Sequence, residues 1–442
     1  MAKQPKFQTP LGTHDILPSE QYWWQQFRAV AESVATSYGF GRIDTPILEF
    51  SELFEKGTGQ DTDIVLKEMF RLKTRGGAEL TLRPEGTPPV ARAYIQHGME
   101  KWTSPVKLYY IGPMFRHEKP QRGRRRQLHQ FGLEVFGEED AARDVQVILA
   151  FFRIFEKLKL KDVRLEINTL GSPASRTKYQ KVLREYYKPR VKQLGVEWEA
   201  RLKSNPLRLL DSDDEKALRI RAHAPQILDY LTEEDRAHFR EVLELLDTLE
   251  IPYFLNPYLV RGLDYYTRTV FEVFQGSDTG EAVDEDGNAV KRLAIAAGGR
   301  YDELVKQLGG GEVPAVGGAI GIERTLDVLR AQSKGAPQQE PTIFLVQLGD
   351  RAKKQALLLY EEFRKAGVSV GEAFGRGSIT AQLKVANKVG APFAIILGQK
   401  EVLDHVVIIR EMETGTQETV PEEKLVREIK KRLEKKNKKK GK

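Results

Sequence analysis

Arginines, carboxylates and tyrosines gather in a few short stretches of this chain. Residues 259–274 read LVRGLDYYTRTVFEVF, which sets Arg261, Asp264, Tyr265, Tyr266 and Arg268 beside Gly262. They stand at the mouth of a strand pattern over 269–274, where apolar side chains alternate. Charges at the mouth of an apolar strand are costly to bury unless something pairs with them. Residues 81–87, TLRPEGT, put Glu85 and Thr87 around Gly86 in a Pro–Gly turn. Residues 107–115 read as a strand leading into Arg116, then a basic loop carrying Gln121, Arg122 and Arg124, then a return strand over 131–136. Gln130 and Glu134, four apart on that return, share one face. Tyr301 sits in AGGRYD, and Arg324 opens a helix pattern behind the glycine-rich PAVGGAIGIE. Guanidinium forks suit phosphoryl oxygens, and a carboxylate with neutral acceptors suits an ammonium. Taken singly, each stretch reads more simply as a solvated strand entry, turn, hairpin tip or exposed pair.

Taken together and in order, these strings resemble the histidyl-tRNA synthetases, a class II aminoacyl-tRNA synthetase family. LVRGLDYY and AGGRYD are similar to its two signatures. The helix, strand and proline over 19–46 resemble class II motif 1, residues 107–136 motif 2, and 314–329 motif 3. The resemblance implies an α+β class II catalytic core, an antiparallel sheet flanked by helices and interrupted by a helical insertion, followed by a C-terminal α/β anticodon-binding domain. It implies ATP-dependent activation of L-histidine to histidyl-adenylate, then transfer of the histidyl group to the 3′ end of tRNA(His). The partners implied are tRNA(His), histidine, ATP and, through motif 1, a second copy in a homodimer. Position by position, Glu85, Gly86, Thr87 and Gln130 would bind the α-amino end of histidine. Glu134 would accept the imidazole N–H as an ionised acid. Tyr266 would bond the imidazole, with Tyr265 beside it and Tyr301 lining the pocket. The catalytic pair would be Arg116, on the α-phosphate, and Arg261, which neutralises that phosphate where other class II enzymes place a metal and also meets the histidine carboxylate. Arg124 would assist at the phosphates, and Arg324 would take the γ-phosphate side. Gln121 and Arg122 would meet the tRNA acceptor end. Mg2+ is expected with the outer phosphates, its protein ligands unassigned. The competing reading is a noncatalytic paralogue, either a histidine-biosynthesis regulatory subunit or a tRNA sensor. Intact Arg116, Arg261 and Arg324 and the extra C-terminal domain speak against it.

The elements that must position these groups follow from periodicity. A helix capped by Ser19 and stopped at Gly39 precedes an extended segment at 40–45. Further helix and strand patterns fill 141–170, and 172–250 is mostly amphipathic helix, containing the string NPLRLLD at 205–211. Residues 275–292 read as a polar hairpin with its turn at Asp286, returning as a strand over 293–297. Residues 1–330 thus form the catalytic domain, 331–341 a linker, 342–434 an alternating strand–helix domain and 435–442 a lysine-rich tail. In the last domain, 376–380 and 382–384 fall where the family carries a tRNA-facing loop and helix. A chain of 442 residues suits more than one domain. With no cysteine, it excludes disulfides and cysteine-ligated zinc. The net charge of +7 is weak by itself as a sign of a polyanionic partner. No apolar run approaches the roughly 20 residues of a membrane span, and no signal-like segment opens the chain, so a cytoplasmic location is expected.

Overall fold

The computed structural model describes residues 7–119, 124–211, 214–276, 282–283, 289–290, 294–333, 335, 342–375 and 377–440. The chain divides into two compact units, Met1–Ala336 and Pro337–Lys442.

The first unit is built on an eight-stranded sheet. Its spatial order is Gly41–Arg42, Val106–Phe115, Gln127–Phe136, Ala315–Gly321, Ala296–Arg300, Thr267–Gln275, Val163–Thr169 and Tyr253–Leu255. The outermost pair at each end is parallel, and every other pairing is antiparallel. Period-two alternation sorts each strand's side chains between two layers. Phe131, Leu133 and Val135 pack beneath the helices Gln21–Ser37, Ala141–Lys157 and Glu233–Thr248, with Phe27, Phe151 and Val242 among their partners. Each such buried side chain contributes about 1.5–3 kcal/mol. The opposite face carries Tyr110, Tyr265 and Tyr301 and is covered by the helices Thr87–Gln96 and Pro173–Tyr187. Gln130, Gly132 and Glu134 therefore point to this second face. A smaller antiparallel sheet, Leu48–Phe50, Glu79–Leu82 and Phe70–Lys73, precedes the turn that carries Glu85.

Local expectations are corrected in three places. Ser19 does not cap the first helix. It lies in a turn closed by the Glu20 amide on the Leu17 carbonyl at 2.9 Å, and no side chain caps the helix. The return strand is Ala296–Arg300, later than 293–297, so the glycines of AGGRYD lie within the sheet. A Cβ at Gly298 would run into the Gly317 carbonyl and the Phe271 ring, so this glycine serves close packing of strands. Flanking pairs Ala282–Val283 and Ala289–Val290 are antiparallel, while Asp286 lies outside the described residues.

The second unit has a five-stranded sheet in the order Val370–Glu372, Ile343–Gln347, Phe393–Leu397, Val406–Glu411 and Gln417–Pro421. The last strand was not apparent in the sequence because only Val420 of its five residues is buried. Ser378 caps the helix Ile379–Lys388 by accepting from the Ala381 amide at 3.2 Å. Gln382 does not face outward. It is fully buried, accepting from the Gln347 amide at 2.9 Å and donating to the Gln347 carbonyl at 2.7 Å. Lys384 is exposed, and Arg376 lies outside the described residues.

One buried ion pair ties the first sheet to its helical layer. Arg300 and Asp144 are both 0% exposed, with Nη2 at 2.6 Å from Oδ1. Arg300 also donates to the Glu138 and Asp140 carbonyls, each at 3.1 Å, and Thr269 donates to the second Asp144 oxygen at 2.6 Å. Removing one member of such a network strands the other charge. Arg300→Ala is expected to lower the unfolding free energy by about 3–5 kcal/mol in urea titration. A loss under about 1 kcal/mol would mean that Asp144 finds another partner or a proton.

Candidate active site

Cross-strand register explains how large polar groups fit on the sheet's second face. Tyr110 lies opposite Gly132, and Glu134 lies opposite Gly317. A Cβ at Gly132 or Gly86 would overlap the Tyr110 ring, and one at Gly317 would overlap the Glu134 carboxyl. Glycines from three segments thus clear space for one tyrosine and one glutamate.

Both carboxylates of the site are held by hydroxyls. Glu85 accepts from Thr58 Oγ1 at 2.6 Å and from the Tyr265 hydroxyl at 2.7 Å. Glu134 accepts from Thr87 Oγ1 at 2.7 Å and from the Tyr301 hydroxyl, and the Tyr110 hydroxyl also reaches it. The Gln130 Oε1 atom is buried and, among the described residues, has no hydrogen-bond partner. The Tyr265 and Tyr266 rings lie 4.6 Å apart, and the Arg261 guanidinium stands 5.7 Å over the Tyr266 ring.

The other end of the site is basic. Arg261 is ion-paired with Glu272. Arg116 donates from Nε to the Pro84 carbonyl at 2.9 Å, and Arg124 pairs with Glu118 at 3.2 Å. Arg324, on the first turn of the helix Ile322–Gln332, donates to the Ala294 carbonyl at 2.8 Å. Burial and then the charges of Arg116 and Arg124 push the Arg324 guanidinium below its ordinary pKa, partly countered by Glu118. An arginine remains charged regardless, so this strain marks a place that favours an added anion.

One cavity of about 410 Å³ joins the two ends. Its lining includes Glu85, Gly86, Thr87, Gln130, Tyr265, Tyr266, Arg116, Arg124, Arg261 and Arg324, all expected from the sequence. Glu134 and Tyr301 are not on the wall. Both are buried just beneath it, joined to the lining through Thr87. Gln121 and Arg122 lie outside the described residues. Tyr110, Glu272, Asp211 and Thr58 were missed as site residues. Tyr110 and Glu272 sit inside strand patterns, where periodicity gives a face but not a neighbour.

Burial pushes the Glu134 carboxyl from its ordinary 4.5 up to about 8, against the pull of the Tyr301 and Thr87 hydroxyls. In the unliganded site it is therefore largely the neutral acid at pH 7, which departs from the expected ionised acceptor. The folded protein holds this proton more tightly than the unfolded chain does. The resulting stability is complete below about pH 4.5 and is lost as the pH rises to about 8. In ligand-free urea titrations, Glu134→Gln should flatten the fall in unfolding free energy between about pH 5 and about pH 8. Equal slopes in variant and wild type would show that Glu134 is not the group responsible.

Comparison with known proteins identifies the family. Residues 12–325 match the family model of histidyl-tRNA synthetase, and residues 342–432 match that of the anticodon binding domain. A histidine–tRNA ligase of Dehalococcoides mccartyi is 41% identical over 428 residues, covering 97% of this chain and 100% of that protein. One from a Geobacillus species is 42% identical over 429 residues, covering 97% and 99%. The crystal structure of the apo histidyl-tRNA synthetase of S. aureus superposes with a TM-score of 0.78 at 33% identity, covering 96% of this chain and 100% of that one. With its motifs gathered on one cavity and its likeness running the length of the chain, this protein belongs to the histidyl-tRNA synthetase family.

Proposed function

We propose that this chain activates L-histidine with ATP and transfers the histidyl group to the 3′ end of tRNA(His). The observation that carries the reading is one cavity with a hydroxyl-bound carboxylate at one end and five arginines at the other, Arg125 beside the four already described. A histidine ammonium has three N–H donors, and Glu85, Thr87 and the unpartnered Gln130 oxygen offer acceptors for them. The imidazole is assigned to Tyr266 and Glu134, with Tyr301 and Tyr110 holding Glu134 in place. A pocket whose own polar groups need the ligand's N–H rejects isosteres that lack it.

In the first step the histidine carboxylate attacks the α-phosphorus of ATP, giving histidyl-adenylate and releasing pyrophosphate. In the second, the terminal ribose hydroxyl of the tRNA attacks the adenylate carbonyl and AMP leaves. Neither step requires a protein nucleophile, so positioning and charge stabilisation supply the rate. Arg261 and Arg116 neutralise the α-phosphate, and Arg124 and Arg324 take the outer phosphates. Magnesium enters as the companion ion of the ATP substrate, and no protein ligands are assigned to it. The acceptor end of the tRNA is assigned to the loop of Gln121 and Arg122, and the second unit to the anticodon. We assign the activity to the cytoplasm. No helix among the described residues is long and apolar enough to cross a membrane.

A homodimer, expected through motif 1, is part of this reading, and we place further contact on the small sheet that directly follows that segment. Leu48, Phe50 and Leu72 lie on one face of it and are 47%, 62% and 48% exposed, beside exposed Ile47 and Leu66. Exposed apolar groups concentrated in this way mark an interface. Phe50→Glu should shift sedimentation from dimer to monomer, and a monomeric wild type would refute the assignment.

ATP–pyrophosphate exchange, run with each amino acid in turn, tests the activity. Exchange is expected with histidine alone. Arg261→His should cut histidine-dependent exchange by about 100-fold or more while circular dichroism stays native. Exchange near the wild-type rate would remove Arg261 from the mechanism, and no exchange by the wild type would overturn the reading.

A further inference from the structure

The string NPLRLLD lies in the helical insertion, yet two of its residues grip the signature stretch. Asn205 Nδ2 donates to Asp264 Oδ1 at 2.9 Å, and Arg208 Nη2 donates to Asp264 Oδ2 at 2.9 Å. Arg208 also donates to the Asp61 carbonyl. The Asn205 oxygen accepts from the Leu207 amide at 3.1 Å, which turns its NH2 group toward Asp264. Both oxygens of Asp264 are thus claimed by the insertion.

What Asp264 holds in turn is the amino-acid end of the cavity. Its amide donates to the Thr58 carbonyl at 3.1 Å, while Thr58 Oγ1 donates to Glu85. The next residue, Tyr265, donates to the other Glu85 oxygen. Gly59 packs so closely on Asp264 that a Cβ there would stand 2.5 Å from Oδ2. Residues 256–266 belong to no helix or strand, so no ladder fixes this segment. Hydrogen bonds such as these position it, together with that from Arg176 to the Tyr266 carbonyl at 2.9 Å.

We propose that Arg208 and Asn205 are positioning residues for histidine recognition, acting through Asp264 on the Glu85–Tyr265–Thr58 cluster. The insertion is then part of the amino-acid site and not only an appendage to it. The inference rests on the histidine-activating reading. A charged hydrogen bond whose loss misplaces the ammonium acceptor weakens the ligand that uses it and not the nucleotide.

The test compares wild type, Arg208→Ala, Arg208→Lys and Asn205→Ala in pyrophosphate exchange, with hydrogen exchange of residues 259–266 followed in parallel. Arg208→Ala is expected to raise the KM for histidine by about tenfold or more, with the KM for ATP within about twofold. Arg208→Lys should recover part of the loss, since it keeps the charge on Asp264 but cannot span to Asp61. Asn205→Ala, which removes a neutral donor and no charge, should show a smaller change of the same kind. Residues 259–266 should exchange faster in Arg208→Ala, with the strand Ala315–Gly321 unchanged. A KM for histidine within twofold of wild type, or a fall in kcat alone in proportion to lost folded protein, would overturn the proposal. If wild type itself failed to exchange, the activity reading would fall, and unchanged protection of 259–266 in the variants would separately remove the positioning role.

Discussion

Two buried carboxyl groups, Glu85 on the cavity wall and Glu134 just beneath it, set the terms for the rest of the site. Glu85 and Glu134 are 4% and 0% exposed, and among the described residues neither is ion-paired. Taking a carboxylate out of water costs several kcal/mol even after relaxation. The protein offsets this with hydroxyls, Thr58 and Tyr265 on one and Thr87 and Tyr301 on the other. Hydroxyls compensate only in part, and burial raises both carboxyls above their ordinary range. The unmet demand is for positive charge and N–H donors, which an amino acid bearing an imidazole supplies.

The opposite end presents the reverse demand. Its arginines meet carbonyls and carboxylates that belong to the protein, Glu272 for Arg261 and Glu118 for Arg124, while the buried Arg261 Nε finds no hydrogen-bond partner among the described residues. Arg116 and Arg124 burden Arg324 with like charge. An anion entering here relieves repulsion as well as gaining hydrogen bonds. The polarity of the cavity therefore orients its occupant. On the proposed reading, an ammonium drawn to Glu85 would leave the substrate carboxylate directed toward the arginines, where a phosphate would be held. Orientation of this kind converts charge separation into a near-attack arrangement without any covalent help from the protein.

The residues that bear net charge or break a pattern were legible in the sequence. Arg116, Glu85, Arg261 and Arg324 stand in short strings of unusual composition, and the structure brings all of them to one wall. Residues whose role depends on a neighbour across the sheet were not. Tyr110 lies in VKLYYIGPMF, an ordinary apolar strand, and only the register that puts Gly132 beside it shows why a tyrosine fits there. Register is a nonlocal property, set by all the strands together. The same limit explains the glycines of AGGRYD, which are consumed by strand packing, and Gln382, which looks like a surface residue until the Gln347 backbone is found beside it. Fold elements were missed for a simpler reason. Gln417–Pro421 is a polar edge strand with one buried side chain, and it carries almost no alternation to detect.

A segment that lines the cavity is also one without regular structure. Residues 256–266 run without ladder or helix between two strands, yet they carry Arg261, Tyr265 and Tyr266. Ordering each such residue costs about 1–2 kcal/mol of backbone entropy, and a strand would recover that through its ladder. Here the return comes from side chains elsewhere in the chain. Asn168 holds the Leu259 carbonyl at 2.9 Å, Arg176 the Tyr266 carbonyl, and Asn205 and Arg208 the Asp264 carboxylate. A strand would have sent alternate side chains to opposite faces, whereas adjacent Tyr265 and Tyr266 both line the same cavity. Irregular backbone is what lets consecutive residues line one cavity, and the distant hydrogen bonds are what make that backbone a single conformation.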